Sequence, residues 1–220
     1  MIEAGKYTSH QIRDIYSRRS RIYRNTVAPL EFSNHLRAIE KAAIRPEDKI
    51  LEVAVGPGLA IAELAKHVSQ TTVVEGVDIS PGMLAVARET LAAAHITNVN
   101  LSESSATSLK FPDNSFDLLY NGYMLDLIPL ADMPVILAEF RRVLKVGGRL
   151  VLLNMSKPNE QTTTFRERLY PMLPPELALY LIGGCRPVLM EHPVIEAGLR
   201  QVTREYLAGK FPSEIVIGIK

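Results

Sequence analysis

Two acids and two glycines carry the chemistry open to this sequence. Glu52, Gly56 and Gly58 fall together in Lys49-Ile-Leu-Glu-Val-Ala-Val-Gly-Pro-Gly58, and Asp78 closes the next apolar segment. Glycines at 56 and 58 let the chain turn tightly and let a ligand approach bare main chain. The free N–H groups of a following helix would point at that ligand. A carboxylate at Asp78 could accept hydrogen bonds from both hydroxyls of a ribose, the arrangement of a nucleotide site. Two plainer readings stand beside this one. The glycines could form a strand-to-helix turn with no ligand, and Asp78 could simply favour the dipole of the next helix. A dinucleotide site of the usual kind would also want a third glycine where Ile61 stands.

These residues need a frame. Ile50, Leu51, Val53 and Val55 form an apolar run that reads as a buried parallel strand, and Leu59 to His67 as the helix after it. Thr71 to Asp78 reads as a second strand. Ser80 then caps a helix with Pro81 at its first position. Asn98 to Ser102 is a third strand. It leads into the polar turn Glu103 to Ser108, where backbone near Ser105 and Ala106 could meet an adenine edge. Phe116 to Asn121 is the fourth strand, followed by a helix from about Ala131 to Leu144. Lys145-Val-Gly-Gly148 should end that helix on glycine, and Arg149 to Asn154 is the fifth strand.

Both ends of the chain differ from this core. Residues 1–24 are basic, and Ser9 could cap a helix with Ile12, Ile15, Tyr16, Ile22 and Tyr23 on one stripe. That helix could pack on the body with its arginines in water. It could instead be a mobile lid that attracts an anionic substrate or a lipid surface. Asn25 to Ile44 carries a second helical pattern through Leu30, Leu36, Ile39, Ala43 and Ile44. Thr162 to Ile182 is a helical region rich in leucine and proline, and His192 to Ala197 a short helix closed by Gly198. Leu199 to Ala208 and Ser213 to Ile219 read as an antiparallel strand pair. The expected fold class is α/β: five strands alternating with helices make a parallel sheet, and the closing pair reverses one strand.

Composition narrows the functional classes. At 220 residues the chain fits one domain. A net charge of +1 argues against a dedicated nucleic-acid binder. The lone Cys185 excludes an internal disulfide and a multi-cysteine metal site, and the five histidines show no metal-ligand spacing, so no metal is expected. Cytoplasm is the simplest location. No apolar run approaches the ~20 residues of a transmembrane helix, and the N-terminus lacks the apolar core of a signal peptide.

Four segments together resemble the class I S-adenosylmethionine-dependent methyltransferases. They are Ile50-Leu-Glu-Val-Ala-Val-Gly-Pro-Gly58, Gly76-Val-Asp-Ile-Ser-Pro-Gly-Met83, Phe111-Pro-Asp-Asn-Ser-Phe-Asp-Leu-Leu119 and Phe140-Arg-Arg-Val-Leu-Lys-Val-Gly-Gly-Arg149. The similarity is greatest to the branch of ubiquinone/menaquinone-biosynthesis and phospholipid N-methyltransferases. It implies a Rossmann-like sandwich with a seven-stranded, mainly parallel sheet whose last strand is antiparallel. The chain accordingly reads as one domain with an N-terminal helical lid over 1–44, a cofactor-binding core over 45–155, a helical substrate-side insert over 156–197 and a strand pair over 198–220.

Site roles follow from the same resemblance. Glu52 would help place the methionine part of the cofactor, often through water. Ala54, Gly56 and Gly58 match the turn beneath the cofactor, and Asp78 the ribose acid. Ile79 and Met83 match residues beside the adenine, and Ser105 and Ala106 the stretch at its amino group. Asn121 would lie near the methionine amino group. The first motif more often reads Asp-Val-Gly-Cys-Gly-Thr-Gly, so Glu52, Ala54, Val55 and Pro57 are departures. Asp126 stands where many relatives carry a histidine.

The implied reaction is direct displacement of a methyl group from S-adenosyl-L-methionine, leaving S-adenosyl-L-homocysteine. A base is needed only if the acceptor must lose a proton. Asp126 is the first candidate for a catalytic, substrate-facing group, although it could equally be a capping or surface acid. Tyr16, Tyr23, Tyr123 and Tyr170 are further substrate-side candidates. His192 and Cys185 fit structural roles better. The apolar insert, with Leu169, Tyr170, Met172, Leu173 and Leu177, suits a small-molecule or lipid-like acceptor and peripheral membrane contact. It would equally suit a core or a homodimer contact. Two rival functions remain from sequence: an NAD-dependent oxidoreductase, and a module that binds S-adenosylmethionine without turnover.

Overall fold

The computed structural model describes residues 8–169, 172–174 and 185–220. Two helices open the chain, α1 (Ser9–Thr26) and α2 (Ala28–Lys41). Strands and helices then alternate as β1 (Ile50–Val53), α3 (Leu59–His67), β2 (Val74–Asp78), α4 (Pro81–Ala93), β3 (Val99–Glu103), β4 (Phe116–Gly122), α5 (Met133–Val143) and β5 (Leu144–Met155). The closing part holds α6 (Phe165–Leu169), α7 (Glu191–Glu196), β6 (Arg200–Leu207) and β7 (Ser213–Ile219).

The strands form a seven-stranded sheet in the order β3-β2-β1-β4-β5-β7-β6. The first five are mutually parallel, and β7 runs antiparallel to both β5 and β6. Side-chain alternation along the strands divides the core in two. Ile50, Leu118, Tyr120, Val151 and Leu153 pack against α2, α3 and α4. Leu51, Val53, Leu119, Leu150 and Leu152 pack against α5 and α7. The architecture is therefore the Rossmann-like three-layer sandwich expected from the sequence. Strand order reverses between β1 and β4, and such sheets bind ligands outside the carboxyl ends of the strands at that point.

Several local expectations are corrected. Thr8, not Ser9, caps α1: its Oγ1 accepts the Gln11 N–H at 3.3 Å, and Gln11 Oε1 accepts the Thr8 N–H at 2.9 Å. Only Thr8 has a glutamine three residues on that can reciprocate. Strand β2 begins at Val74 rather than Thr71, because Ser69, Thr71 and Thr72 close a turn through the Thr72 N–H and the Ser69 carbonyl. Helix α5 does not end on glycine. Leu144 is already extended, and Gly147, at φ +79°, lies inside β5, where its N–H donates to the Lys220 carbonyl. Ile22 of α1 is 64% exposed and leaves the expected stripe of that helix; on α2, Leu30 is 64% and Leu36 42% exposed, while Ile39 is buried as expected, beside Ala28, Glu31 and Ala38. In the helical region expected over 162–182, α6 is the described helix; Tyr170 and Leu177 lie outside the described residues.

Helix α1 is fastened across the sheet edge by polar contacts. Ser17 and Ser80 share a hydroxyl hydrogen bond of 2.8 Å. Arg21 and Arg24 pair with Glu89 at 2.8 and 2.9 Å, and Arg13 pairs with Glu103 at 3.0 Å. Three of the arginines assigned to water thus meet acids of the body. Gly82 makes the close approach possible, since a Cβ there would lie 2.4 Å from the Ser17 carbonyl oxygen. At the other end of the sheet, buried Glu214 accepts from Arg204 Nε at 2.6 Å, the Ser156 hydroxyl at 2.9 Å and the Met190 N–H at 2.7 Å. Among the described residues, no helix is long and apolar enough to cross a membrane.

Candidate active site

A cavity partly open to solvent, with about 1120 Å3 of empty space counting its open mouth, lies beyond the carboxyl ends of the central strands and beneath α1 and α2. Neighbouring strands are about 4.8 Å apart, so the tips of β3 and β4, three steps away in the sheet, are about 14 Å apart. The cavity follows that line. Ser104, Ser105, Ala106 and Thr107 after β3, with Asp78, Ile79, Ser80 and Met83 around the end of β2, form one end. Ala54, Gly56, Pro57, Leu59 and Ala60 after β1 form the middle. Gly122, Tyr123, Met124, Leu127 and Ile128 after β4, with Tyr16, Tyr23, Glu31 and His35 from α1 and α2, form the other end.

Asp78 is 7% exposed and faces this space. Its Oδ2 accepts the Gly56 N–H at 2.9 Å, and its Oδ1 accepts the Ser80 N–H at 2.8 Å. Burial pushes its pKa up from 3.8 to about 6, while the N–H groups of Ser80, Gly56 and Ile79 oppose the rise. The two glycines of the turn have separate tasks. Gly56, at φ +52°, meets nothing within 4 Å at its Cβ position and leaves the cavity floor open. Gly58, at φ +84°, does not line the cavity; a Cβ there would lie 2.9 Å from Ala87, so this glycine lets α3 start against α4. Ala54 adopts φ +62° without being glycine, a strained conformation for a residue with a Cβ.

Glu52 and Asn121 do not line the cavity. Both are buried beside its middle, on paired strands. Burial first, and then the charge of Asp78, raise the Glu52 carboxyl well above its usual range. Asn121 Nδ2 donates to the Val53 carbonyl at 2.8 Å. Glu52 Oε2 and Asn121 Oδ1 are buried acceptors with no protein donor. Such atoms are costly unless something satisfies them, and a ligand amine or bound water entering from the β1 turn would do so.

Asp126 is fully buried and does not line the cavity. Its Oδ2 accepts the Met155 N–H at 3.1 Å, and its carbonyl accepts the Arg186 N–H at 3.1 Å. The acid thereby ties the segment after β4 to the end of β5, so it does not face the cavity as the sequence leads one to expect. Tyr123 lines the cavity at φ +51°, with its hydroxyl between Asn34 Nδ2 and Ser213 Oγ, each at 2.9 Å. Tyr16 and Tyr23 meet edge to face at 5.8 Å. Burial raises both phenols well above their usual range, and Glu31 adds to the effect at Tyr23. Tyr170 lies outside the described residues.

Two polar lining residues of α2 are not singled out by the sequence. Glu31 is 3% exposed and accepts the Tyr23 hydroxyl at 2.7 Å. His35 Nδ1 lies 2.8 Å from the Tyr120 hydroxyl, and burial lowers its pKa to about 4, so the ring is neutral. Their spacing was the available signal: residues 31, 35, 38 and 42 lie on one helical face. Two polar members broke the apolar pattern that sequence reading relies on. Among the described residues, no lysine or arginine lines the cavity, and no cluster of three or more His, Cys, Asp or Glu side chains is arranged to hold a metal ion.

Comparison with known proteins gives this geometry a family. Residues 7–177 match the model of the ubiE/COQ5 methyltransferase family. The ubiquinone/menaquinone biosynthesis C-methyltransferase UbiE of Shewanella pealeana is 39% identical over 124 residues, covering 56% of this chain and 49% of the relative. A demethylmenaquinone methyltransferase of Staphylococcus aureus is 34% identical over 158 residues, covering 70% of this chain and 64% of the relative. The chain thus spans about half to two thirds of the length of these curated relatives. A SAM-dependent methyltransferase from Aquifex aeolicus shares the fold, with a TM-score of 0.67 at 19% identity over 92% of this chain and 97% of that one. With a family match across more than half its residues, on the sheet and cavity described above, the chain belongs to the ubiE/COQ5 methyltransferase family.

Proposed function

We propose that the chain transfers a methyl group from S-adenosylmethionine to a ring carbon of an apolar, quinol-type acceptor. The observation that carries this is the continuity of one cavity, from the Asp78 carboxylate at the β2 tip to the largely apolar wall at the β4 tip. The residues present fit the cofactor. Asp78 keeps lone pairs for ribose hydroxyls beyond the two backbone donors it already accepts. Ile79 and Met83 supply apolar surface for an adenine, and the backbone near Ser105 and Ala106 supplies its polar edge. Gly56 leaves the middle unobstructed, and Glu52 and Asn121 hold the unsatisfied acceptors beside it. The names of the relatives, a C-methyltransferase of ubiquinone/menaquinone biosynthesis and a demethylmenaquinone methyltransferase, support the acceptor class.

When bound, S-adenosylmethionine supplies a methyl group on a sulfonium, ready for a single displacement. The residues of the chain then act by alignment and exclusion of water. Tyr16, Tyr23 and Ile12 of α1 cover the cavity from above. Tyr123, held by three hydrogen bonds in its strained conformation, fixes the wall where the acceptor ring would lie.

Titration calorimetry with S-adenosylhomocysteine, followed by methyl transfer from isotope-labelled S-adenosylmethionine to chemically reduced demethylmenaquinone, tests the reading. Heat and a methylated quinol are expected. No heat at high protein concentration would remove the cofactor assignment. Heat without transfer to any of a panel of quinols would favour a binding module.

A further inference from the structure

We propose that Tyr23 and Glu31 form a pair that removes the proton from a ring hydroxyl of the acceptor, which rests on methyl transfer to a quinol-type ring. Helix α2 buries Glu31 while exposing Leu30 and Leu36 on either side of it. A carboxylate held inward at 3% exposure, next to leucines turned outward, costs stability and calls for a polar task. Its carboxylate accepts the Tyr23 hydroxyl at 2.7 Å, and both side chains line the cavity at the acceptor end. Around them the wall is Ile12, Ala28, Met124, Leu127 and Ile128. A flat apolar ring with a hydroxyl fits this surface, with its O–H placed on the Tyr23 oxygen.

A ring carbon needs such help. It becomes a competent nucleophile when an attached hydroxyl ionises and pushes electron density onto the neighbouring carbon. In the proposed step the acceptor's O–H proton passes to the Tyr23 oxygen as the Tyr23 proton passes to Glu31. The ring carbon then forms its bond to the methyl carbon while the sulfur–methyl bond breaks, its electron pair staying on sulfur. Loss of the ring C–H proton to water restores aromaticity, and the pair returns its proton to the ring oxygen. One proton is released in total, and no oxidant or reductant is needed. Tyr23 is the group that touches the acceptor, and Glu31 acts through it. The other titratable groups around the pair are Tyr16 from α1 and Cys185, which act on Tyr23, Tyr123 after β4, which feels Glu31, and His35 from α2 and Asp132 before α5, which share the cavity wall.

The test uses the full chain with reduced demethylmenaquinone. Glu31→Gln and Tyr23→Phe should bind S-adenosylhomocysteine within about twofold of the parent, while kcat falls by about 100-fold or more and KM changes little. The loss should shrink as pH rises towards the pKa of the quinol itself, because an acceptor that ionises in water no longer needs the pair. A purely structural role would give no such recovery. Parental kcat and an unchanged pH profile in both variants would overturn the assignment, as would loss of S-adenosylhomocysteine binding in step with activity. Failure of the parent chain to methylate the quinol would instead reject the acceptor class, and the pair's role with it.

Discussion

Asp78 Oδ2 and the Gly56 N–H lie 2.9 Å apart, so the terminal acid of β2 holds the exit turn of β1 in place. The contact links the floor of the cavity to the group assigned to the ribose. Asp78→Ala would remove both, and S-adenosylhomocysteine affinity should fall by about 10- to 150-fold, or about 1.5–3 kcal/mol for hydrogen bonds to a charged group. Calorimetry at pH 7.5 reads this directly. Unchanged affinity would remove Asp78 from the site.

Acid should act on the same residue in two opposite ways. Because burial raises the Asp78 pKa from 3.8 to about 6, the protonated form is favoured by folding. Its contribution to the stability of the ligand-free protein is full below 3.8 and is lost as pH rises through about 6. Ribose hydroxyls donate to the ionised form, so S-adenosylhomocysteine affinity should drop by up to about tenfold per pH unit below pH 6. Calorimetry from pH 5 to 8 should show that slope for the parent, and a flatter one for Asp78→Asn.

Ala54 occupies a left-handed conformation, at φ +62°, where the resemblance places glycine more often. That conformation costs about 1–2 kcal/mol for a residue with a Cβ, part of which glycine gives back as unfolded-chain entropy. Ala54→Gly should therefore raise stability by about 1 kcal/mol, or about 2–4 °C in Tm for a chain of this size. A lower Tm would mean that the methyl group makes a contact worth more than the strain.

Gly82→Ala should have the reverse effect. The new Cβ would lie 2.4 Å from the Ser17 carbonyl oxygen and 2.6 Å from its Cα, and backbone atoms cannot rotate away. Helix α1 must shift off α4, at about 1–3 kcal/mol. Limited proteolysis near Arg18 should speed up in the variant, alongside a lower Tm.

Much of this molecule was legible in its residues. The apolar runs at Ile50, Val74, Leu118 and Leu150 marked the parallel strands, and the short Gly209-Lys-Phe-Pro212 connection marked the reversed one. Asp78, Gly56, Ile79, Met83, Ser105 and Ala106 converge because each follows the end of a strand or opens the next helix, positions that topology alone brings to one edge. Gly58 shows where such reading ends. Its type was informative, but its reason is packing against Ala87, a contact between helices that no local pattern encodes.

The β4 end of the cavity was much less legible. Asp126 drew attention as an acid after β4, yet its direction depends on the Met155 N–H of another strand. Glu31 and His35 escape periodicity arguments, which seek apolar residues on the inward face: here Ala28, Ala38 and Ile39 share that side with two polar residues that border the cavity. Helix capping failed at Ser9 for a smaller reason: two adjacent hydroxyl residues competed, and the reciprocating Gln11 decided for Thr8.

Helix α1 roofs the cavity, yet much of its hold on the body is ionic and wet. Arg21 and Glu89 are 73% and 44% exposed in their pair, and Arg13 and Glu103 are 35% and 49% exposed in theirs. Counter-ions weaken pairs of this kind readily. Salt should thus loosen the roof slightly and shorten the time a bound molecule dwells beneath it, with little effect on the sheet that shapes its bed.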